Sequence, residues 1–180
     1  DKKIPFKFCS GCLVFRYNPL GEEECPLSFF LRRHSSDFAS FLQFINADHF
    51  KRIIRIAKHN NIDIDFIIDA GANIGLATLC FKLFSPDATL VSVEPEKKNI
   101  IQLKKHIQSN NLSNTSVEEA AIWNKSTRLQ LFNDGGAYNN WGYQVRKTNF
   151  QNAGIQGITI GDLMKKYQRK NIALLKIDIE

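Results

Sequence analysis

The chain has 180 residues, of which 43% are hydrophobic and 23% charged, with a formal net charge of +6. This is the composition and length of one soluble globular domain with a real core. It excludes a helix that spans a bilayer, because no apolar stretch is long enough, and the mild positive charge permits an anionic partner without requiring one.

In chain order, residues 4–34 alternate apolar and polar side chains in short runs: Phe6-Lys7-Phe8, Leu13 to Tyr17 and Leu27 to Leu31. Gly11, Pro19, Gly21 and Pro26 punctuate them. The pattern predicts an antiparallel β extension over residues 1–34, ahead of a second unit over 35–180. Cys9 and Cys12 form a C-x-x-C that could make a zinc site with Cys25 and His34, although the second ligand pair is poorly spaced. Redox C-x-x-C motifs sit at helix starts, whereas this one lies in strand-like sequence. Reduced structural thiols in a cytoplasmic protein are the expectation, with Cys80 buried. The lysines near the N-terminus have no apolar signal core behind them. Ser35-Ser36-Asp37 offers helix caps, and Phe38, Phe41, Leu42 and Ile45 follow at helical spacing. A second helix begins at Asn46 or Asp48, runs through Phe50, Ile53, Ile54 and Ala57, and stops at Asn60-Asn61.

Ile64 to Ala70 reads as the first buried strand. It enters Asp69-Ala70-Gly71-Ala72-Asn73-Ile74-Gly75, and a helical pattern from Ile74 to Phe84 leaves it. Strand, tight turn and helix is the place where a nucleotide-like ligand meets an open α/β sheet. Gly71 lets backbone pass close to a ligand with positive φ, Asn73 tolerates the left-handed region, and Gly75 stands where helix and strand approach. The helix start aims unpaired N–H groups at the crevice. A G-x-G-x-x-G dinucleotide turn placed on Gly71 needs glycine at positions 73 and 76, where the chain has Asn73 and Leu76. Asp69 is poor company for phosphate and suits a cationic group such as the ammonium of a bound amino acid.

Ala88 to Val93 is the second strand, ending at Glu94-Pro95-Glu96. A carboxylate at that tip can accept both ribose hydroxyls, a geometry that serves NAD and S-adenosylmethionine alike. Pro95 opens the next helix and Glu96 favours its dipole. That helix carries Lys97, Lys98, Lys104, Lys105 and His106, interleaved with Ile100, Ile101, Leu103 and Ile107. It reads as amphipathic with a solvated outer face rather than a nucleic-acid surface. Ser116 to Ile122 is the third strand and Trp123 to Ser126 a turn. Residues 128–160 read as a hairpin or loop over the cleft, with strands at Thr127 to Phe132, Tyr143 to Arg146 and Gly157 to Ile160. A short helix falls within Thr159 to Tyr167. Ile172 to Glu180 reads as a buried parallel strand whose carboxylates lie at its carboxyl end.

Three motifs then fall in one order. They are D-A-G-A-N-I-G, carried by Asp69, Gly71, Asn73 and Gly75; Glu94-Pro95 after the second strand; and Leu174-Leu175-Lys176-Ile177-Asp178-Ile179-Glu180 on the last. From Ser35 to Glu180 the chain resembles the FkbM family of S-adenosylmethionine-dependent methyltransferases. The resemblance implies an α/β fold, a Rossmann-like class I sheet with helices on both faces, behind an N-terminal strand and helix extension. In the family, further C-terminal strands complete the sheet beyond the position of Glu180. It implies S-adenosylmethionine as cofactor: Asp69 with Gly71, Ala72, Asn73 and Gly75 at the methionine end, Glu94 on the ribose, Glu119 and Ala120 bordering adenine. The family's Ser-Asp pair matches Ser36 and Asp37, which makes Asp37 a candidate contact beside plain capping.

The implied acceptor is a hydroxyl on a glycan, glycolipid or polyketide-like molecule, whose face Tyr138, Trp141 and Tyr143 could meet if they are not simply packed. Asp178 and Glu180, two apart on one strand face, could act as base or together hold a divalent cation. Alternatively, Asp178 orients the methionine end and Glu180 supports the turn. Methyltransferases acting on DNA bases carry an N-P-P-Y-type motif on this strand, which is absent here, so no nucleic-acid partner is expected. Two other readings stay open: an NAD-binding domain of an oxidoreductase, and a non-catalytic interaction module.

Overall fold

A computed structural model of the chain describes residues 6–9, 11–17, 26–46, 49–133, 143–147 and 154–179. Glu180, Cys25, Tyr138 and Trp141, named above as candidates, lie outside the described residues. Strands β1 (Phe6–Cys9), β2 (Cys12–Tyr17) and β3 (Leu27–Arg32) precede helices α1 (Asp37–Asn46) and α2 (His49–His59). Then β4 (Phe66–Ala70), α3 (Leu76–Phe84), β5 (Thr89–Val93), α4 (Lys97–Ser109) and β6 (Thr115–Glu118) alternate. They are followed by β7 (Ala120–Ile122), β8 (Thr127–Asn133), β9 (Tyr143–Lys147), β10 (Ile155–Ile158), α5 (Ile160–Lys166) and β11 (Leu174–Ile177).

The central sheet is parallel, in the order β11-β4-β5-β6. Every residue of β4 is buried, as its unbroken apolar run predicts. Alternate residues still serve different layers. Phe66, Ile68 and Ala70 pack with Val91, Val93 and Leu163, while Ile67 joins Leu79, Leu90 and the N-terminal aromatics. The chain proceeds from β4 outward through β5 to β6, then returns to place β11 on the other side of β4. That reversal opens a crevice at the carboxyl ends of β4 and β11.

Two strands differ from the sequence expectation. Ser116 to Ile122 is not one strand but two, parted at Glu119. Glu118 pairs with Val93, the last residue of β5, so the ladder has no further partner. The chain then satisfies its backbone elsewhere: β7 pairs with β10 in a second sheet, ordered β7-β10-β8-β9. The last strand is parallel to β4 but not buried on both faces. Among the described residues it pairs only with β4, and Leu175 and Ile177 are 39% and 56% exposed.

The N-terminal strands form an antiparallel sheet, β1-β2-β3, whose Phe15 and Phe29 stack and share a core with Phe41 and Leu79. Cys9 and Cys12 face each other across the β1–β2 turn. Among the described residues no group of three His, Cys, Asp or Glu gathers to hold a metal ion. β3 docks on α4 by polar contacts. Asn110 exchanges hydrogen bonds with both backbone groups of Ser28, His106 Nε2 accepts the Phe30 N–H at 2.9 Å, and the Gln102 amide donates to the Phe30 carbonyl. Asn99, Gln102, His106 and Asn110 recur at helical spacing, so this is one stripe on one face. His106 therefore does not belong to the solvated face expected from its lysine neighbours; it is fully buried.

Candidate functional site

The β4–α3 turn is built as its small residues suggest. Gly71, Asn73 and Gly75 all have positive φ, at 76°, 51° and 90°. A Cβ on Gly71 would lie 2.0 Å from the Asp178 carbonyl oxygen, and one on Gly75 would lie 2.5 Å from Leu103 Cδ1. The turn is thus pressed against β11 on one side and α4 on the other. The N–H groups of Gly71 and Ala72 both donate to the Val93 carbonyl at 3.0 Å, tying the turn to the tip of β5.

At that tip stands Glu94, 5% exposed. Its Oε2 accepts the Asn73 N–H at 2.8 Å, and its Oε1 accepts the Glu96 N–H at 3.1 Å and the Asn99 side-chain amide at 3.3 Å. Burial pushes its carboxyl above the usual range, opposed by the hydrogen bonds from Glu96, Asn73 and Asn99, with the Glu96 charge adding to the rise. Glu96 itself caps α4, accepting the Asn99 N–H at 2.7 Å.

Glu94, Gly71, Ala72, Asn73, Ala120 and Asp178 line one cleft of about 530 Å³. Ser40, Gln43 and Phe44 of α1 form its opposite wall, and Trp123 and Val145 bring the second sheet to it. Among the described residues of the two helices before β4, those lining the cleft belong to α1. The Asp178 side chain is 81% exposed at the mouth.

Three residues expected at the ligand find partners within the chain in this geometry. Asp69 is fully buried and faces away from the cleft. It shares a sheet face with its cross-strand partners Ser92 and Lys176. Its Oδ2 accepts from Thr78 Oγ1 at 2.7 Å, and its Oδ1 lies 3.0 Å from Lys176 Nζ, an ion-pair distance without hydrogen-bond alignment. The cation expected from a ligand is supplied by the chain itself. Asp37 is 1% exposed and clamps Arg32, accepting from Nε at 2.9 Å and Nη2 at 2.7 Å. Glu119, where the third strand breaks, turns outward and pairs with Lys104 at 2.7 Å on the surface.

Sequence reasoning passed over Lys176 and Asn99. Lys176 Nζ donates to the Gly71 carbonyl at 2.9 Å and approaches Asp178 at 3.6 Å, so it joins the turn to both acidic residues. Its signal was available: a lone lysine inside an apolar parallel strand needs a carboxylate partner. Asn99 lies on the basic helix, and only the spacing Asn99-Gln102-His106-Asn110 hints at its burial.

A crevice at the reversal of a parallel sheet, beside a glycine turn and a buried carboxylate, is the topological switch point of an open α/β domain. Comparison with known families narrows the class: the chain belongs to the FkbM methyltransferase family, described as the Methyltransferase FkbM domain, which matches residues 69–180. Methyltransferase 1 of Beauveria bassiana (strain ARSEF 2860) is 26% identical over 137 residues, covering 66% of this chain and 55% of that protein. The chain thus spans about half the length of this curated relative. Among solved structures, Methyltransferase FkbM from Methylobacillus flagellatus KT is 16% identical, covering 64% of this chain and 26% of that one, with a TM-score of 0.40. TYW2 of P. horikoshii, in complex with MeSAdo, is 14% identical over 68% of this chain and 40% of its own, with a TM-score of 0.39.

Proposed function

We propose that the protein is an S-adenosylmethionine-dependent O-methyltransferase acting on a hydroxyl of a glycan, glycolipid or polyketide-like acceptor. The observation that carries the reading is Glu94, a buried carboxylate at the tip of β5 that lines the cleft beside the glycine turn. Its Oε2 keeps one lone-pair site after the bond from Asn73, enough to accept a ribose hydroxyl. Ala120 and Ala121 on the far wall leave width for a flat base. S-adenosylmethionine, when bound, supplies a methyl group already activated on sulfur. The chain's own task is then alignment, worth on the order of 7–11 kcal/mol when it is good. Asp178 at the mouth takes the proton of the acceptor hydroxyl, a role worth roughly 10²–10⁴-fold.

Calorimetry on the protein with S-adenosylmethionine, S-adenosylhomocysteine and NAD tests the cofactor. Micromolar binding of the first two is expected, weakened at least about tenfold by Glu94→Ala. Binding of NAD with both sulfur compounds excluded would overturn it. Transfer of labelled methyl to a panel of hydroxyl and amine acceptors tests the second half, and transfer confined to amines would refute O-methylation.

A further inference from the structure

We propose that Arg32, on the last strand of the N-terminal sheet, is a positioning residue for cofactor binding: it fixes the orientation of the Asn99 amide, which in turn presents a donor to Glu94. The proposal rests on the reading of Glu94 as the ribose ligand.

The contacts run in an unbroken line. The Asp37 carboxylate holds the Arg32 guanidinium in a bidentate grip and also accepts the Arg32 backbone N–H at 2.9 Å. The guanidinium also reaches α4: Nη2 donates to Asn99 Oδ1 at 2.8 Å. Asn99, 2% exposed, then has its Nδ2 directed at Glu94 Oε1. A side-chain amide can rotate by half a turn with little change in shape. Here the rotation would set Nδ2 against a permanent cation and Oδ1 against a carboxylate, two repulsive contacts in a buried place. Arginine cannot give up its charge, so the lock does not depend on pH.

With the lock in place, Asn99 always offers Glu94 a donor, and the carboxylate stays aimed. Without it, the amide can turn its oxygen toward Glu94. Glu96 is the other charged group facing Glu94, and its like charge adds to the tendency to protonate. The N-terminal sheet then acts on the cofactor site through α4 and is not only a covering for the core. It also explains why Asp37, which does not reach the cleft, is buried at the start of α1.

The test is cofactor affinity against pH, by calorimetry with S-adenosylhomocysteine. Wild type must bind; if it does not, the reading of Glu94 fails and not this proposal. Arg32→Met is expected to raise Kd about tenfold, the loss of one charge-supported hydrogen bond, and to move the acid limb of binding to higher pH. In an Asn99→Ala background the same substitution is expected to add nothing. Asn110→Ala is the control: it loosens β3 from α4 without touching the line, and is expected to lower the melting temperature but leave Kd unmoved. Should Arg32→Met fail to fold, Arg32→Gln removes the charge while keeping a polar group for Asp37, and the same Kd and pH shifts are expected. An unchanged Kd in both Arg32 variants, or an equal rise in Asn110→Ala, overturns the proposal.

Discussion

Two glycines with nearly the same φ make a controlled experiment on the β4–α3 turn. Gly71 has φ +76° and Gly11, at the β1–β2 turn, has φ +77°. An alanine at either position carries the left-handed penalty of about 1–2 kcal/mol. Their surroundings differ. Nothing lies within 4 Å of a Cβ on Gly11, whereas a Cβ on Gly71 would sit 2.0 Å from the Asp178 carbonyl oxygen and 3.1 Å from Ile179 Cγ2. Ordinary contact begins at 3.4 Å, so the carbonyl must retreat by more than an ångström. That retreat strains the bond from the Asp178 N–H to the Ala70 carbonyl, now 3.0 Å, which is worth about 0.5–1.5 kcal/mol net. Gly71→Ala is therefore expected to cost about 1.5–3.5 kcal/mol, and Gly11→Ala about 1–2. At roughly 2–4 °C per kcal/mol for a domain of this size, scanning calorimetry should see Gly71→Ala melt several degrees below Gly11→Ala. Only the Gly71 variant should lose cofactor affinity, because only there does the end of β11 move. Equal melting temperatures would refute the close approach on which the shape of the crevice depends.

His106 supplies a pH dependence. The Phe30 N–H donates to Nε2, so Nδ1 carries the proton and donates to the Ile74 carbonyl at 2.6 Å, and burial lowers the ring's pKa to about 4. Above pH 6.5 neither state binds the proton; as pH falls from 6.5 toward 4 the unfolded chain gains it and the folded one does not. Denaturant titrations should lose up to about 3 kcal/mol across that window, and His106→Gln should flatten the slope. Lys176→Met leaves the Asp69 charge wholly buried with its cation gone, which should cost about 3–5 kcal/mol, largely recovered in the Asp69→Asn/Lys176→Met double variant. At Asn73, with φ 51°, alanine should cost about 1–2 kcal/mol and glycine far less, by thermal melts of the two variants.

Short-range information determined much of this protein. The unbroken apolar run Phe66-Ile67-Ile68, the glycines and asparagine of the turn, and Glu94 at its distance from Gly71 are local facts, and so the strand–turn–helix unit and the carboxylate at the next strand tip were legible in the sequence. The antiparallel pattern of the first strands was equally plain, since alternation is a nearest-neighbour property. What the tertiary structure alone decided is the partner of each buried polar group. Asp69 looks the same in sequence whether it meets a ligand or Lys176, more than a hundred residues later, and cross-strand register chose the lysine. Asp37 and Arg32 are near in sequence, but Asn99 joins them only because α4 packs on β3. Glu119 turns outward to Lys104 because β6 ran out of ladder one residue earlier. Sequence sets which groups need a partner once buried; the packing of distant segments selects which one they find, because burial and hydrogen-bond geometry are properties of the assembled core and not of the local chain.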